Sequence, residues 1–129
     1  MLQDILLTAE EIALKEEVRA FVKKEVSSDL IRKMDRDEIT YPREFVKALG
    51  DRNLLGLRFD KKYGGRGLPW SAEIAALEEI GVLGTALGCA FSMPSIVGPS
   101  LQLFGTQEQK EKFLKPLLRG DLMSAEALT

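Results

Sequence analysis

Adjacent glutamates are the residues of this chain that could carry acid–base chemistry. They form the pairs Glu10–Glu11, Glu16–Glu17 and Glu78–Glu79. Neighbouring side chains on a helix point about 100° apart, so the two carboxylates of a pair do not converge on one substrate. We therefore expect none of these pairs to be catalytic, and we predict no catalytic residue in this chain.

Nucleophilic and metal chemistry is limited by the absence of histidine, since the chain has none and contains one cysteine, Cys89. Without histidine, Ser-His-Asp and Cys-His catalysis cannot be assembled, and neither can the common zinc, iron and copper sites. No basic residue stands near Cys89 in the sequence to activate its thiol, so we expect a small buried hydrophobe. No metal site is predicted.

A glycine-rich stretch, Gly64-Gly65-Arg66-Gly67, precedes a predicted helix and invites comparison with phosphate-binding loops. It has neither the GxxxxGK[ST] nor the GxGxxG spacing, and it does not follow a strand of a βαβ unit. Its glycines permit a positive φ or a close approach of two backbones. The stretch therefore predicts a structural turn.

Charges of both signs are mixed along the chain, with 18 basic against 20 acidic residues and a net charge of -2. A nucleic-acid-binding or membrane-surface protein would concentrate its basic residues. The amino terminus lacks a basic leader, and we expect no stretch that reaches the roughly 18 apolar residues of a membrane span. These features predict a cytoplasmic protein with no nucleic-acid or membrane partner.

Capping signals mark the first and last predicted helices of the chain. Thr8 with Glu11 forms a capping-box pair ahead of an amphipathic pattern, and Thr106 with Gln109 repeats it. Gly120 is expected to stop the last helix.

Prolines are expected to open two inner helices. Pro42 begins one of them, and Pro69 or Ser71 begins another, in which Glu73 is expected on the outer face. The charged stretch 27–40 that precedes Pro42 is predicted to be a solvated connector.

The segment from Gly81 to Gly105 carries no charged residue and is rich in small side chains. A helix that is apolar or small on every side is buried all round, so we expect this segment at the centre of the domain. Pro94 predicts a kink or a helix start within it, and Pro99 predicts a further break. Its small residues fit either close helix packing or a groove for an elongated apolar ligand, and both remain open.

These patterns predict an all-α fold, an up-down bundle of about five or six helices over residues 1–121. Apolar and polar residues then alternate over 122–129, which is typical of a β-strand. A lone strand has no partner in a helical chain. We therefore interpret 122–129 as the first strand of a middle β domain, and the chain as part of a larger protein.

Several segments, taken together and in order, resemble the amino-terminal half of the acyl-CoA dehydrogenase family. The most specific is the run from Phe104 to Gly120, which has the pattern FGTxEQKxKxLxPLxxG. The others are Tyr41-Pro42-Arg43-Glu44-Phe45, Leu55-Gly56-Leu57, Lys62-Tyr63-Gly64-Gly65-Arg66-Gly67-Leu68, Glu78-Glu79-Ile80 and Ala127-Leu128-Thr129.

The resemblance implies an FAD-dependent oxidoreductase of fatty acid metabolism that dehydrogenates the α,β bond of an acyl-CoA thioester. In that family a glutamate of the last domain removes the α proton and flavin N5 accepts the β hydride. This chain would then be the amino-terminal part, forming one wall of the acyl and flavin cleft, without the catalytic glutamate and inactive alone. The implied partners are acyl-CoA and an electron-transfer flavoprotein, and the parent is expected to be a homo-oligomer.

The resemblance also implies site residues. Leu128 and Thr129 would contact FAD through main chain and hydroxyl. The acyl chain would lie against the uncharged segment, with Gly88, Ser92, Met93 and Ile96 as pocket wall, although plain core packing explains each of these four equally well. Where many members carry an aromatic residue, this chain has Glu126.

An alternative of a different class is a free-standing helical module that binds a partner or an apolar ligand without redox chemistry. The coding sequence beyond Thr129 separates the two hypotheses, because the family continues there with Glu-Pro and Gly-Ser-Asp stretches.

Overall fold

The computed structural model describes residues 6–127, and within that range the chain forms six helices and no strand. The predicted all-α bundle is therefore confirmed. The helices are α1 (Ala9–Glu25), α2 (Ser28–Asp35), α3 (Arg43–Asp51), α4 (Trp70–Gly81), α5 (Thr85–Phe104) and α6, which joins the segments Gln107–Gln109, Lys110–Leu114 and Lys115–Leu118. A 3₁₀ turn at Lys61–Tyr63 lies between α3 and α4.

The capping box at the start of α1 is confirmed in both directions. Thr8 Oγ1 accepts from the Glu11 amide at 3.3 Å, and Glu11 Oε2 accepts from the Thr8 amide at 2.7 Å. Both bonds satisfy amides that have no partner inside the helix. The helix then packs along α4 and buries one apolar face, which includes Leu14, Val18 and Phe21.

Helix α2 occupies the stretch for which a connector was expected, so that interpretation is wrong. Ser27 Oγ caps the helix by accepting from the Leu30 amide at 3.1 Å. Leu30, Ile31 and Met34 then pack against the main core at helical spacing. The dense charges of this stretch lie on the other faces of a short amphipathic helix.

The core has two parts. The larger cluster joins α1, α3, α4 and the first half of α5, with Val18, Leu49, Ala76 and Ile80 fully enclosed. The smaller cluster joins the loop before α4 to α6 through four buried side chains. Those four are Phe59, Tyr63, Leu114 and Leu118.

Helix α5 runs without interruption through Pro94 and Pro99, so neither the helix start nor the break expected there occurs. The helix is also not buried on every side, since Ile96 is 49% and Phe104 is 85% exposed. Cys89 is exposed too, contrary to the expectation that it is buried.

Length and composition alone would let α5 cross a membrane, which corrects the expectation that no stretch reaches such a span. Its contacts favour a bundle helix instead. Helix α5 packs against α4, and Leu87 and Phe91 are buried in the main core. The apolar character of α5 is therefore partly accounted for by packing within the domain.

Helix α6 begins with the predicted capping box, in which Thr106 Oγ1 accepts from the Gln109 amide at 3.2 Å. Its middle segment, Lys110–Leu114, is π-helical and precedes Pro116. Because Pro116 has no amide hydrogen and its ring crowds the preceding turn, a wider turn relieves the conflict. Gly120 ends the helix with a φ of 70°, as expected.

The predicted strand at the carboxyl end does not form in the part of 122–129 that is described. Residues 123–127 have no regular secondary structure. A strand needs a neighbour to pair its amide and carbonyl groups, and the described helices offer no sheet edge. Leu128 and Thr129 lie outside the described residues.

Candidate functional site

A cleft lies between α5, the beginning of α6 and the segment 125–127. Its volume is about 630 Å³, which is within the range of small-molecule sites. It is lined by Ile96, Val97, Ser100, Leu101, Phe104, Gly105, Gln109, Ala125, Glu126 and Ala127. We call this space the α5 cleft.

One face of α5 supplies the apolar wall of the α5 cleft. Ile96, Val97, Ser100, Leu101 and Phe104 follow one another at intervals of one, three, one and three residues. This spacing places them in one stripe of a helix. Because the stripe lacks any charge and stays exposed at both Ile96 and Phe104, it can receive an apolar group.

A smaller cavity of about 250 Å³ lies between α5, α6 and residues 122–125, and it shares Val97, Leu101 and Ala125 with the α5 cleft. Ser124 also lines it, and the Ser124 Oγ is buried without a hydrogen-bond partner among the described residues. Buried hydroxyl groups nearly always have a partner.

A buried polar cluster lies behind the apolar wall. Arg58 Nε donates to Glu73 Oε2 at 2.8 Å, and Ser95 Oγ donates to the same oxygen at 2.7 Å. Arg58 Nη2 donates to the Ser95 carbonyl at 3.1 Å. Glu73 was expected on the outer face of its helix; the structure buries it because Arg58 neutralises its charge there.

The pair Glu78–Glu79 forms ion pairs with α1. Arg19 forms a two-point contact with Glu79, at 2.9 and 2.8 Å, and Lys15 bonds Glu78 at 2.8 Å. The hydrogen bond from Arg19 holds the pKa of Glu79 below its usual value. These contacts join α1 to α4, and none of these four residues lines the α5 cleft.

The glycine-rich stretch is a structural turn, as predicted. Arg66 makes a two-point contact with Glu17, at 2.8 and 2.7 Å, and also donates to the carbonyls of Arg52 and Asn53. A Cβ on Gly65 would lie 2.0 Å from the Phe59 carbonyl oxygen, so only glycine permits this approach. Arg66, the cation that a phosphate would need in this stretch, is thus already paired with Glu17.

Of the four residues predicted for the acyl wall, Ile96 lines the α5 cleft. Met93 is half-buried and Ser92 Oγ donates to the Gly88 carbonyl at 3.0 Å. Gly88 is buried toward α4, because a Cβ there would lie 3.9 Å from the Gly81 Cα. The two residues predicted to contact FAD, Leu128 and Thr129, are outside the described residues.

Four lining residues of α5 escaped prediction, and the helical stripe that contains Ile96 was the signal that could have found them. They are Val97, Ser100, Leu101 and Phe104. Among residues 6–127 there is no group of three or more histidine, cysteine or acidic side chains placed to hold a metal ion.

Comparison with known proteins identifies the scaffold. Residues 8–121 match the family model described as the acyl-CoA dehydrogenase N-terminal domain. The short-chain-specific acyl-CoA dehydrogenase of Clostridium acetobutylicum is 35% identical over 98% of this chain and 33% of its own length. Subunit CarC of the caffeyl-CoA reductase-Etf complex of Acetobacterium woodii is 30% identical over 86% of this chain and 29% of its own.

The fold agrees with the sequence relatives. The crystal structure of glutaryl-CoA dehydrogenase from Mycobacterium smegmatis superposes with a TM-score of 0.82 and 25% identity, over 93% of this chain and 31% of that chain. The chain thus spans about a third of the length of the proteins it matches.

Proposed function

Because the chain belongs to the acyl-CoA dehydrogenase family, we propose that it serves as the amino-terminal domain of an FAD-dependent enzyme that dehydrogenates the α,β bond of an acyl-CoA thioester. The observation that carries this proposal is the uncharged stripe of α5 that faces the α5 cleft. In the proposed enzyme this stripe is one wall of the site, and the reacting glutamate comes from another domain.

The α5 stripe supports a role in holding the acyl chain. Ile96, Val97, Leu101 and Phe104 present apolar surface, and a bound acyl chain gains free energy as that surface leaves water. We propose these residues, with Met93 close by in the same helix, as the wall. Contacts of the acyl chain with Gly88 and Ser92 stay predictions.

The polar side chains that line the α5 cleft fit only the uncharged parts of FAD. Its polar side chains are Ser100, Gln109 and Glu126, and no cation lines it. A pyrophosphate needs cations or a group of amides, which this wall lacks. When bound, FAD supplies the acceptor for the β hydride, while Leu128 and Thr129 are the proposed contacts of this chain.

Glu126 bears on how the wall meets the substrate. Its exposed carboxylate lies in the lining of the α5 cleft beside Ala127. A carboxylate repels negative groups and excludes them from its neighbourhood. We propose that Glu126 directs the anionic coenzyme A portion away from this end of the cleft, so that the apolar part of the substrate faces α5.

Electron transfer to an electron-transfer flavoprotein is proposed for the whole enzyme. The support is the relative CarC, which is a subunit of a complex that contains Etf. We also propose that the enzyme is a cytoplasmic homo-oligomer of fatty acid metabolism, with domains at 1–121 and from 122 onward. The match of the family model over 8–121 supports that division.

The test is an anaerobic titration of the whole flavoprotein with saturated acyl-CoA esters of increasing chain length. The proposal predicts that one class of acyl-CoA bleaches the flavin absorbance near its visible maximum. It also predicts that the reduced enzyme then passes the electrons to an added dye, whose reduction is followed by absorbance. Because CarC is a subunit of a reductase complex, unsaturated acyl-CoA is added to the reduced protein as well. Absence of a spectral change with either class of ester would overturn the proposal.

A further inference from the structure

The carbonyl of Ser95 lacks the usual backbone donor within α5. In an α-helix this carbonyl accepts from the amide four residues later, which here belongs to Pro99 and has no hydrogen. Instead, Arg58 Nη2 donates to the Ser95 carbonyl at 3.1 Å. An arginine from the loop before α4 thus takes the place of the missing helical donor.

The guanidinium of Arg58 is fixed on three sides. Its Nε bonds Glu73 Oε2 at 2.8 Å, and its Cζ lies 3.2 Å from the centre of the Trp70 ring. The third contact is the Ser95 carbonyl. The side chains of Arg58 and Glu73 are only 15% and 7% exposed, so little water competes for these bonds.

Glu73 completes the link between α4 and α5. Its Oε2 accepts from both Arg58 and Ser95 Oγ, so the side chain and the carbonyl of Ser95 are held by one cluster. Ile96, the next residue, begins the stripe that lines the α5 cleft. The cluster therefore anchors α5 at the start of the proposed acyl wall.

We propose that Arg58 is a positioning residue for this wall. By donating to the Ser95 carbonyl, it lets α5 continue through Pro99 and anchors α5 to α4 at the start of the stripe from Ile96 to Phe104. Arginine suits this role because its planar guanidinium can bond a carboxylate and a carbonyl in different directions at once. The consequence for acyl-CoA binding rests on the proposed function, whereas the structural part does not.

The structural part is tested by a double-mutant cycle between Arg58 and Pro99, read by hydrogen exchange of the amides of residues 101–105. Arg58→Met removes the donor, and exchange is expected to accelerate about 10- to 100-fold, the range for a lost hydrogen bond to a charged group. Pro99→Ala restores a helical donor to the Ser95 carbonyl. In that background Arg58→Met still leaves the buried Glu73 carboxylate without its cation, but the Ser95 carbonyl keeps a donor, so the acceleration is expected to be at least about threefold smaller than with proline at position 99.

Pro94→Ala is the matched control, because Pro94 deprives the carbonyl of Ala90, not that of Ser95, of its donor. In the Pro94→Ala background the full effect of Arg58→Met is expected to persist. Helix α5 keeps another anchor in every variant, since Gln102 Oε1 accepts from the Asp60 amide at 3.0 Å. If Arg58→Met does not fold, the same cycle is run with Arg58→Lys, which keeps a cation beside Glu73.

Equal effects of the Arg58 substitution on exchange, with proline and with alanine at position 99, would overturn the proposal.

The functional part is measured by steady-state kinetics of the whole flavoprotein. Arg58→Met is expected to raise KM for acyl-CoA severalfold with a smaller change in kcat, and adding Pro99→Ala is expected to reverse that rise in KM. A coupling in exchange without any acyl-CoA turnover by the unaltered protein would overturn the proposed function and leave Arg58 as a positioning residue. Turnover without that coupling would overturn the role of Arg58 alone.

Discussion

The ring of Phe59 lies directly against the backbone of Gly98, where an added Cβ would be 2.6 Å from Phe59 Cζ. This contact joins α5 to the smaller core cluster and brings the loop before α4 under the apolar stripe. Because the ring is buried among Tyr63, Leu114 and Leu118, it has little freedom to move aside. Gly98 is thus required by packing and not by its φ.

Gly98→Ala is expected to lower the free energy of unfolding by about 1–3 kcal/mol, as overpacked substitutions do. Gly88→Ala is the matched control on the same helix, since a Cβ there meets only ordinary contacts at 3.9 Å. Alanine should be neutral or stabilising by about 0.5–1 kcal/mol at position 88. Urea unfolding of both variants measures the difference, and equal stabilities would contradict the packing described for Phe59.

The contact between Arg66 and Glu17 predicts a pH dependence of stability. The hydrogen bond from Arg66 lowers the pKa of Glu17 from its usual value of 4.5. A group whose pKa is lower in the folded state stabilises the fold above its unfolded pKa and loses that contribution as the pH falls through its folded pKa. The stabilisation is therefore present at pH 7 and is lost progressively as the pH falls below 4.5 and through the lowered pKa of Glu17.

Glu17→Gln is expected to cost about 0.5–1 kcal/mol at pH 7, a small figure because both side chains are partly exposed, and less than that near pH 3. Glu10→Gln, which changes an exposed glutamate of the same helix, is the control. Urea unfolding at the two pH values measures the effect. A cost for Glu17→Gln that is the same at both would show that the ion pair does not cause it.

Ile96→Ser tests the proposed acyl wall. Ile96 is 49% exposed in the α5 cleft, and a bound acyl chain should cover that surface. Loss of this contact is expected to raise KM for a long acyl-CoA about fivefold, or about 1 kcal/mol, with less effect on a short one. Ile12→Ser is the control, since Ile12 is similarly exposed, at 40%, on α1. Equal KM changes in the two variants would remove Ile96 from the wall.

The 129-residue chain by itself is expected to bind FAD weakly. Two or three hydrogen bonds of about 1 kcal/mol each fall well short of the roughly 8 kcal/mol that micromolar affinity requires. The lining of the α5 cleft also has no cation for the pyrophosphate. A titration followed by flavin fluorescence should give a Kd above micromolar, and a yellow protein that retains FAD through gel filtration would contradict this expectation.

Local signals predicted the elements whose cause lies within a few residues. The hydroxyl groups of Thr8 and Thr106 cap helices through amides three positions later, and Gly120 adopts the positive φ that ends α6. The helical spacing of apolar residues likewise predicted α1. These features could be predicted because both partners stand within one turn of the chain.

Contacts between distant residues explain what could not be predicted. Glu73 is buried because Arg58, 15 positions earlier, and Ser95, 22 positions later, bond its carboxylate. Helix α5 continues through Pro99, which leaves the Ser95 carbonyl without a helical donor. Arg58 donates a hydrogen bond to that carbonyl instead. Since periodicity contains no information on such partners, Glu73 was placed on the outer face and Pro99 was interpreted as a break.

The most direct measurement of the central claim uses an acyl-CoA with a photoreactive group at the end of its acyl chain. It is irradiated with the whole flavoprotein, and mass spectrometry locates the labelled residues. The account predicts labels on the α5 stripe between residues 93 and 104, with excess unlabelled acyl-CoA preventing them. Competed labels that fall elsewhere, with none on this stripe, would contradict the assignment of α5 as a wall of the acyl site.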